Sequence, residues 1–227
     1  MDPRPVVIAL PGFTRAPRHL ARLAAACEGA GWECIRPMLA PRWLPVLYLL
    51  PSRLHRLAMR LAPRCADRPV VVAGHSAGGA AGTRLASELR TAGVQVAGLV
   101  LIDAVDSPNH LIARSLPSLA EVRVAAVLAP PSPCNRQAAL ERSLAHMPAV
   151  RTEVVPGAGH GDIEGAGIGV YRRACKDSSD AAAAERFLVR VIAAIAWVLG
   201  DGGEHEAGST DELGPRLHFK SGDGLIE

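Results

Sequence analysis

The 227-residue chain has no uninterrupted apolar run of the ~18 residues that a membrane-spanning helix needs, although hydrophobic residues make up 49% of it. Charge of one sign is also scarce. The formal net charge is +3, too small to argue for a nucleic-acid partner. The start, Met1-Asp2-Pro3-Arg4-Pro5, lacks the charged beginning and long apolar core of a signal peptide, so a cytoplasmic location is expected. The five cysteines (Cys27, Cys34, Cys65, Cys134 and Cys175) lack metal-finger spacing, and an odd number fits no complete disulfide framework. Most are therefore expected as buried thiols, and neither a metal nor an organic cofactor is called for. No internal repeat is present.

What the chain does have is an alternation of apolar strands and helical patterns. Val6–Leu10, Trp32–Arg36, Val70–Ala73, Ala97–Ile102, Val122–Leu128 and Arg151–Val155 read as strands. Helices are expected over residues 16–30, 52–63, 77–91, 135–146 and 181–199. Continuous apolar strands between helices predict an α/β domain, with a small, mostly parallel sheet of about six strands covered on both faces. The length suits one domain, residues 1–200. The polar, Gly-rich stretch 201–227 reads as a flexible tail.

The run Gly74-His75-Ser76-Ala77-Gly78-Gly79 lies between a β-branched strand and a helical stretch. This is the context of a nucleophile elbow, where a strained serine stands at the apex of a turn too tight for side chains at its flanking glycines. Ser76 is the candidate nucleophile. A serine nucleophile needs a base, and His160 has the best setting, on the glycine-rich loop after the last strand. His75, inside the elbow, is read as a packing and hydrogen-bonding residue. The acid that orients the base is expected at the end of the strand after the elbow. Asp103 is preferred there, with Asp106 as the alternative that could instead cap a turn. Asp162 and Glu164 lie too close to His160 in sequence to be favoured. The oxyanion hole needs two backbone N–H groups, assigned to Ala77 and to Phe13 in the loop after the first strand.

Residues 37–50 form an apolar, proline-broken stretch that includes Trp43 and Tyr48. It is read either as a core-packing connector or as an apolar wall receiving a greasy substrate, with Trp43 and Tyr48 in the pocket. Peripheral contact with a membrane surface is a further role for such a segment.

Pro11-Gly12-Phe13-Thr14, the elbow, Leu101-Ile102-Asp103-Ala104-Val105-Asp106 and Gly159-His160-Gly161-Asp162-Ile163 together resemble the α/β-hydrolase superfamily, and within it the chlorophyllase and polyester-hydrolase-like branch. Pro130-Pro131-Ser132-Pro133-Cys134-Asn135 and Ala174-Cys175-Lys176 are similar to segments of that branch, and whether Cys134 pairs with Cys175 is left open. The likeness spans roughly residues 5–200 and departs from the branch at Ala77 (usually arginine) and Ala104 (usually proline). The branch's usual N-terminal hairpin is missing. It implies a serine hydrolase acting on a small hydrophobic ester through Ser76, His160 and Asp103. Thioester cleavage or lipase-type activity is the alternative, and a non-catalytic binding protein on a hydrolase scaffold is the rival of another class.

Overall fold

A computed structural model of the chain describes residues 3–40, 45–106, 109–147, 149–164, 175 and 180–200. Its strands are β1 (Val6–Leu10), β2 (Glu33–Ile35), β3 (Val70–His75), β4 (Val96–Ile102), β5 (Arg123–Leu128) and β6 (Val150–Val154). They form one six-stranded sheet in the order β2-β1-β3-β4-β5-β6, with every pairing parallel. No antiparallel strand joins the sheet among the described residues. The helices are α1 (Ala21–Gly29), α2 (Pro51–Cys65), α3 (Gly78–Thr91), α4 (Leu111–Ser115), α5 (Ala139–Leu144) and α6 (Ala181–Leu199).

Parallel strands need crossovers, and the crossovers put helices on both faces. Alternation along the strands then divides the core in two. Val6, Ile8, Val70, Val72 and Leu99 face α2 and α3 through Leu54, Leu57, Leu85 and Leu89. Val7, Val71, Ala73 and Val100 face α1 and α6 through Leu23, Phe187, Val191 and Ile195. This is why the central strands read as unbroken apolar runs: neither face meets water. The C-terminal helix stays regular from cap to cap. Asp180 accepts from the Ala182 amide at 2.9 Å, and Gly200 ends the helix in the left-handed region.

Several expectations shift in detail. The helix expected over 135–146 shortens to Ala139–Leu144, because Arg136, Gln137 and Ala138 all have positive φ. The cause is Asn135, whose side-chain oxygen accepts from the Ser132 and Ala138 amides and shapes a loop instead. Residues 17–20 form a 3-10 turn before α1, and α4 has no counterpart in the sequence reading. Cys134 and Cys175 form a disulfide across 41 residues, whereas Cys27, Cys34 and Cys65 are free, with Cys27 and Cys65 buried. Within the apolar stretch, Leu39 and Tyr48 are buried in the α2/α3 core while Met38 and Leu50 are exposed. Trp43 and the 201–227 stretch lie outside the described residues.

Backbone packs against backbone where the start of α3 meets the ends of β3 and β1. A Cβ on Gly74 would lie 2.2 Å from the Gly78 carbonyl oxygen, and one on Gly78 would lie 2.5 Å from the Leu10 carbonyl oxygen. Both obstacles are backbone and cannot swing aside. Gly82, one turn further, would meet nothing closer than the Val72 side chain at 3.3 Å. Gly74→Ala and Gly78→Ala should each therefore lower unfolding free energy by about 3 kcal/mol or more, while Gly82→Ala should stay within about 1 kcal/mol of the parent. Urea unfolding monitored by circular dichroism checks this; equal stability for Gly74→Ala and Gly82→Ala would refute the packing account.

Candidate active site

The sheet order reverses between β1 and β3, and open α/β sheets bind ligands in the crevice at the carboxyl ends of such neighbours. In register, Leu10 of β1 stands beside Gly74, and His75 stands beside Ile102 of β4. The loops leaving these strands accordingly emerge side by side. A cleft of about 220 Å³ opens there, bordered by Phe13, Arg15, Ser76, Cys134, His160 and Glu164 among others.

Ser76 follows β3 directly and has φ of 54°, in the left-handed region. Its amide is held by the Ile102 carbonyl at 3.1 Å, and its own carbonyl accepts from Gly79 and Val105. The serine is thus fixed by its neighbour strand and by the first turn of α3. His160 sits on the loop after β6 and is buried. Its Nε2 lies 3.0 Å from Ser76 Oγ and its Nδ1 lies 2.5 Å from Asp103 Oδ2. Asp103 leaves β4 with φ of 36° and is only 2% exposed. Its other oxygen accepts from the Ala129 amide at 3.0 Å and from Asn135 Nδ2 at 3.2 Å. The structure thus brings Ser76, His160 and Asp103 into one hydrogen-bonded line.

Asp106 is not part of that line. Its Oδ1 accepts from the Ile112 amide at 2.8 Å at the start of α4, and its Oδ2 lies 3.6 Å from His110. This is the capping role. Phe13 is 49% exposed at the rim of the cleft, not packed into the core. Neither its amide nor that of Ala77 donates to a backbone acceptor outside the regular elements among the described residues. The expectation that Tyr48 lines the pocket needs correction. Tyr48 is 3% exposed, donates its hydroxyl to the Pro11 carbonyl and meets Phe13 edge-on at 6.1 Å between ring centres. It supports the loop after β1 from behind and is not a wall of the cleft. Burial, together with the Glu164 charge, pushes its phenol up.

Two features were not anticipated from the sequence. Asn135 is buried and bridges Asp103 to the Ala129 and Pro130 carbonyls, next to the Cys134–Cys175 disulfide. The Pro-Ser-Pro-Cys-Asn stretch was the only hint of it. The second is a buried charge chain: Arg15 Nε donates to Glu164 Oε2, and Glu164 Oε1 lies 2.9 Å from His75 Nδ1. His75 Nε2 lies 2.8 Å from the His160 carbonyl oxygen. Burial alone would raise Glu164, but His75 and Arg15 outweigh it and hold the carboxyl down at about 2. Burial would likewise lower His75, but the Glu164 charge reverses the direction and raises it. Among the described residues no group of His, Cys, Asp and Glu side chains is arranged to hold a metal ion, and no helix is long and apolar enough to cross a membrane.

Comparison with known proteins follows the same lines. A thioesterase-domain family model matches residues 52–146. No curated protein matches the sequence. A chain assigned to the alpha/beta hydrolase superfamily from Xanthomonas campestris pv. campestris is similar at 24% identity and a TM-score of 0.55, covering 84% of this chain and 99% of its own. The pyrethroid hydrolase PytH is similar at 14% identity and a TM-score of 0.62, with 88% and 100% covered. The NocB thioesterase domain, solved as a covalent complex with a fluorophosphonate nocardicin G analog, is similar at 16% identity and a TM-score of 0.56, with 89% and 96% covered. The parallel sheet, the helices on its two faces and these likenesses give the chain the α/β-hydrolase fold.

Proposed function

We propose that the protein is a serine hydrolase that cleaves carboxylic esters or thioesters bearing an apolar group. The observation that carries this reading is the line from Ser76 Oγ through His160 to Asp103, with separations of 3.0 and 2.5 Å. In it, His160 Nε2 takes the Ser76 proton as Oγ attacks the carbonyl carbon. Asp103 accepts from Nδ1, fixes the tautomer and stabilises the imidazolium that forms. The Phe13 and Ala77 amides receive the negative oxygen of the tetrahedral intermediate. His160 then returns its proton to the departing alcohol or thiol, leaving Ser76 acylated. A water activated by the same ring releases the acid. The likeness to thioesterase domains supports the thioester form of this reaction, and those to PytH and to polyneuridine aldehyde esterase support the ester form. The resemblance to chlorophyllases makes chlorophyll a substrate worth placing beside simple esters.

Ser76→Ala and His160→Ala are each expected to reduce turnover of a p-nitrophenyl ester by roughly 10⁴-fold or more, and the double variant should be little worse, because the two act as one unit. Asp103→Asn should be strongly impaired, and Asp106→Asn should retain most activity, since Asp106 only caps α4. Near-parental rates for Ser76→Ala would end the serine-hydrolase reading; a crippled Asp106→Asn beside a healthy Asp103→Asn would reassign the acid.

Phe13, half exposed at the rim, is the apolar surface offered to substrate. Each methylene it helps remove from water contributes about 0.8 kcal/mol, roughly fourfold in affinity. The specificity constant should therefore rise from acetyl to hexanoyl esters, and Phe13→Ala should flatten that rise. A chain-length series of p-nitrophenyl esters measures both, and a preference for acetyl would remove the apolar-substrate claim.

A further inference from the structure

The buried chain Arg15–Glu164–His75 has no part in the proton transfers just described, yet it joins the loops that carry them. Arg15 comes from the loop after β1, His75 from the elbow and Glu164 from the 3-10 turn beyond His160. Both His75 and Glu164 have side chains 3% exposed. Burying an ionised carboxylate and a histidine together is costly unless the charges match and every polar atom is satisfied. The hydrogen-bond pattern specifies the match. His75 Nε2 faces the carbonyl oxygen of His160, which can only accept, so Nε2 carries a proton. Nδ1 faces a carboxylate already held by a guanidinium, so Nδ1 carries one too.

We infer that His75 is a buried imidazolium at neutral pH and a positioning residue, which grips the main-chain carbonyl of His160 and so holds the base ring against Ser76 and Asp103. This inference rests on the serine-hydrolase reading for the role of His160. The titratable and charged groups around His75 are Glu164, Arg15 beyond it, His160 with its ring centre 4.9 Å away, and Asp103, with the Tyr48 phenol behind Glu164. The pH window follows from the directions. Glu164, lowered from 4.5 to about 2, contributes fully above its ordinary value and is lost as pH falls through the lower one. His75, raised above 6.5, contributes fully below that value and is lost as pH rises through its folded value. On losing a proton, His75 turns a ring lone pair toward either the Glu164 carboxylate or the His160 carbonyl, and the bridge between the two is broken at one end. The consequence is an alkaline limb in kcat, with little change in KM.

The test is ring-nitrogen NMR of the full chain labelled at histidine, titrated from about pH 5 to about pH 10, beside kcat and KM for a p-nitrophenyl ester over the same range. The His75 signals are assigned by their loss in His75→Gln. In the parent, His75 should be protonated on both nitrogens at neutral pH and should lose a proton together with kcat. Glu164→Gln removes the counter-charge, and should move both the His75 titration and the alkaline limb to lower pH by about one unit or more. His75→Gln cannot titrate and lacks the two separate ring N–H donors that bridge the Glu164 carboxylate and the His160 carbonyl, so its alkaline limb should vanish while kcat is lowered about tenfold or more. It serves equally if Glu164→Gln does not fold. A neutral His75 ring at neutral pH overturns the inference whatever the chain hydrolyses. An alkaline limb that stays put in Glu164→Gln or persists in His75→Gln overturns the positioning role. Absence of any ester or thioester turnover in the parent would instead remove the hydrolase reading, and the positioning role with it, while the NMR result on the cation stands.

Discussion

The rest of the molecule is arranged around a backbone-to-backbone contact: the start of α3 lies so close to the ends of β3 and β1 that residues 74 and 78 have no room for a side chain. That contact fixes the direction in which the chain leaves the strand. It holds Ser76 at positive φ, a conformation that costs a non-glycine residue about 1–3 kcal/mol and persists only where the surroundings over-determine it. Here they do, through the Ile102 carbonyl below and the Gly79 and Val105 amides beside it. The parallel register then transmits this fixed point outward. Once Gly74 is level with Leu10 and Leu101, the loops of β1 and β4 can only emerge next to the serine.

Two hydrogen-bond chains run through the loops gathered at this edge, and they are complementary in charge. One begins at a serine and ends at a carboxylate pinned by Asn135 and the Ala129 amide. The other begins at a guanidinium and ends at a peptide carbonyl. They meet at His160, whose ring belongs to the first and whose main chain belongs to the second. A histidine held at both its ring and its backbone has little further freedom to lose, which on the proposed reading is preorganisation of the base.

What was legible in the sequence was local. The elbow could be read because strand, tight turn and helix are consecutive, and Asp103 because it ends the next apolar run. The sheet and most helix limits followed from runs of Val, Ile, Leu and Ala. What was not legible depends on contacts between distant segments. Arg15 and Glu164 are 149 residues apart, and nothing near either one announces the other. Glu164 looked unpromising because it is close to His160 in sequence, and that closeness is what lets it reach His75 while His160 faces Ser76. Tyr48 was misplaced for a related reason. An aromatic in an apolar, proline-broken stretch looks the same whether its ring faces a cleft or supports the loop in front of it. The helix over 135–146 was overextended because its periodicity is sound, but the Asn135 side chain competes for the backbone amides that would begin it.

The all-parallel topology has a consequence for the order in which the chain matures. Among the described residues no strand pairs with its neighbour through a hairpin, so every pairing closes a loop through a crossover and meets its entropic cost before the contact repays it. The serine and its partner histidine are 84 residues apart, with β4, β5 and β6 between them. A chain emerging from the ribosome therefore presents Ser76 long before His160, and one folded only as far as β5 holds a serine and a carboxylate with nothing to draw the proton between them. Ser76 thus remains an ordinary alcohol until the final strand docks, and on the proposed reading the newborn polypeptide passes through its half-built states without hydrolase chemistry.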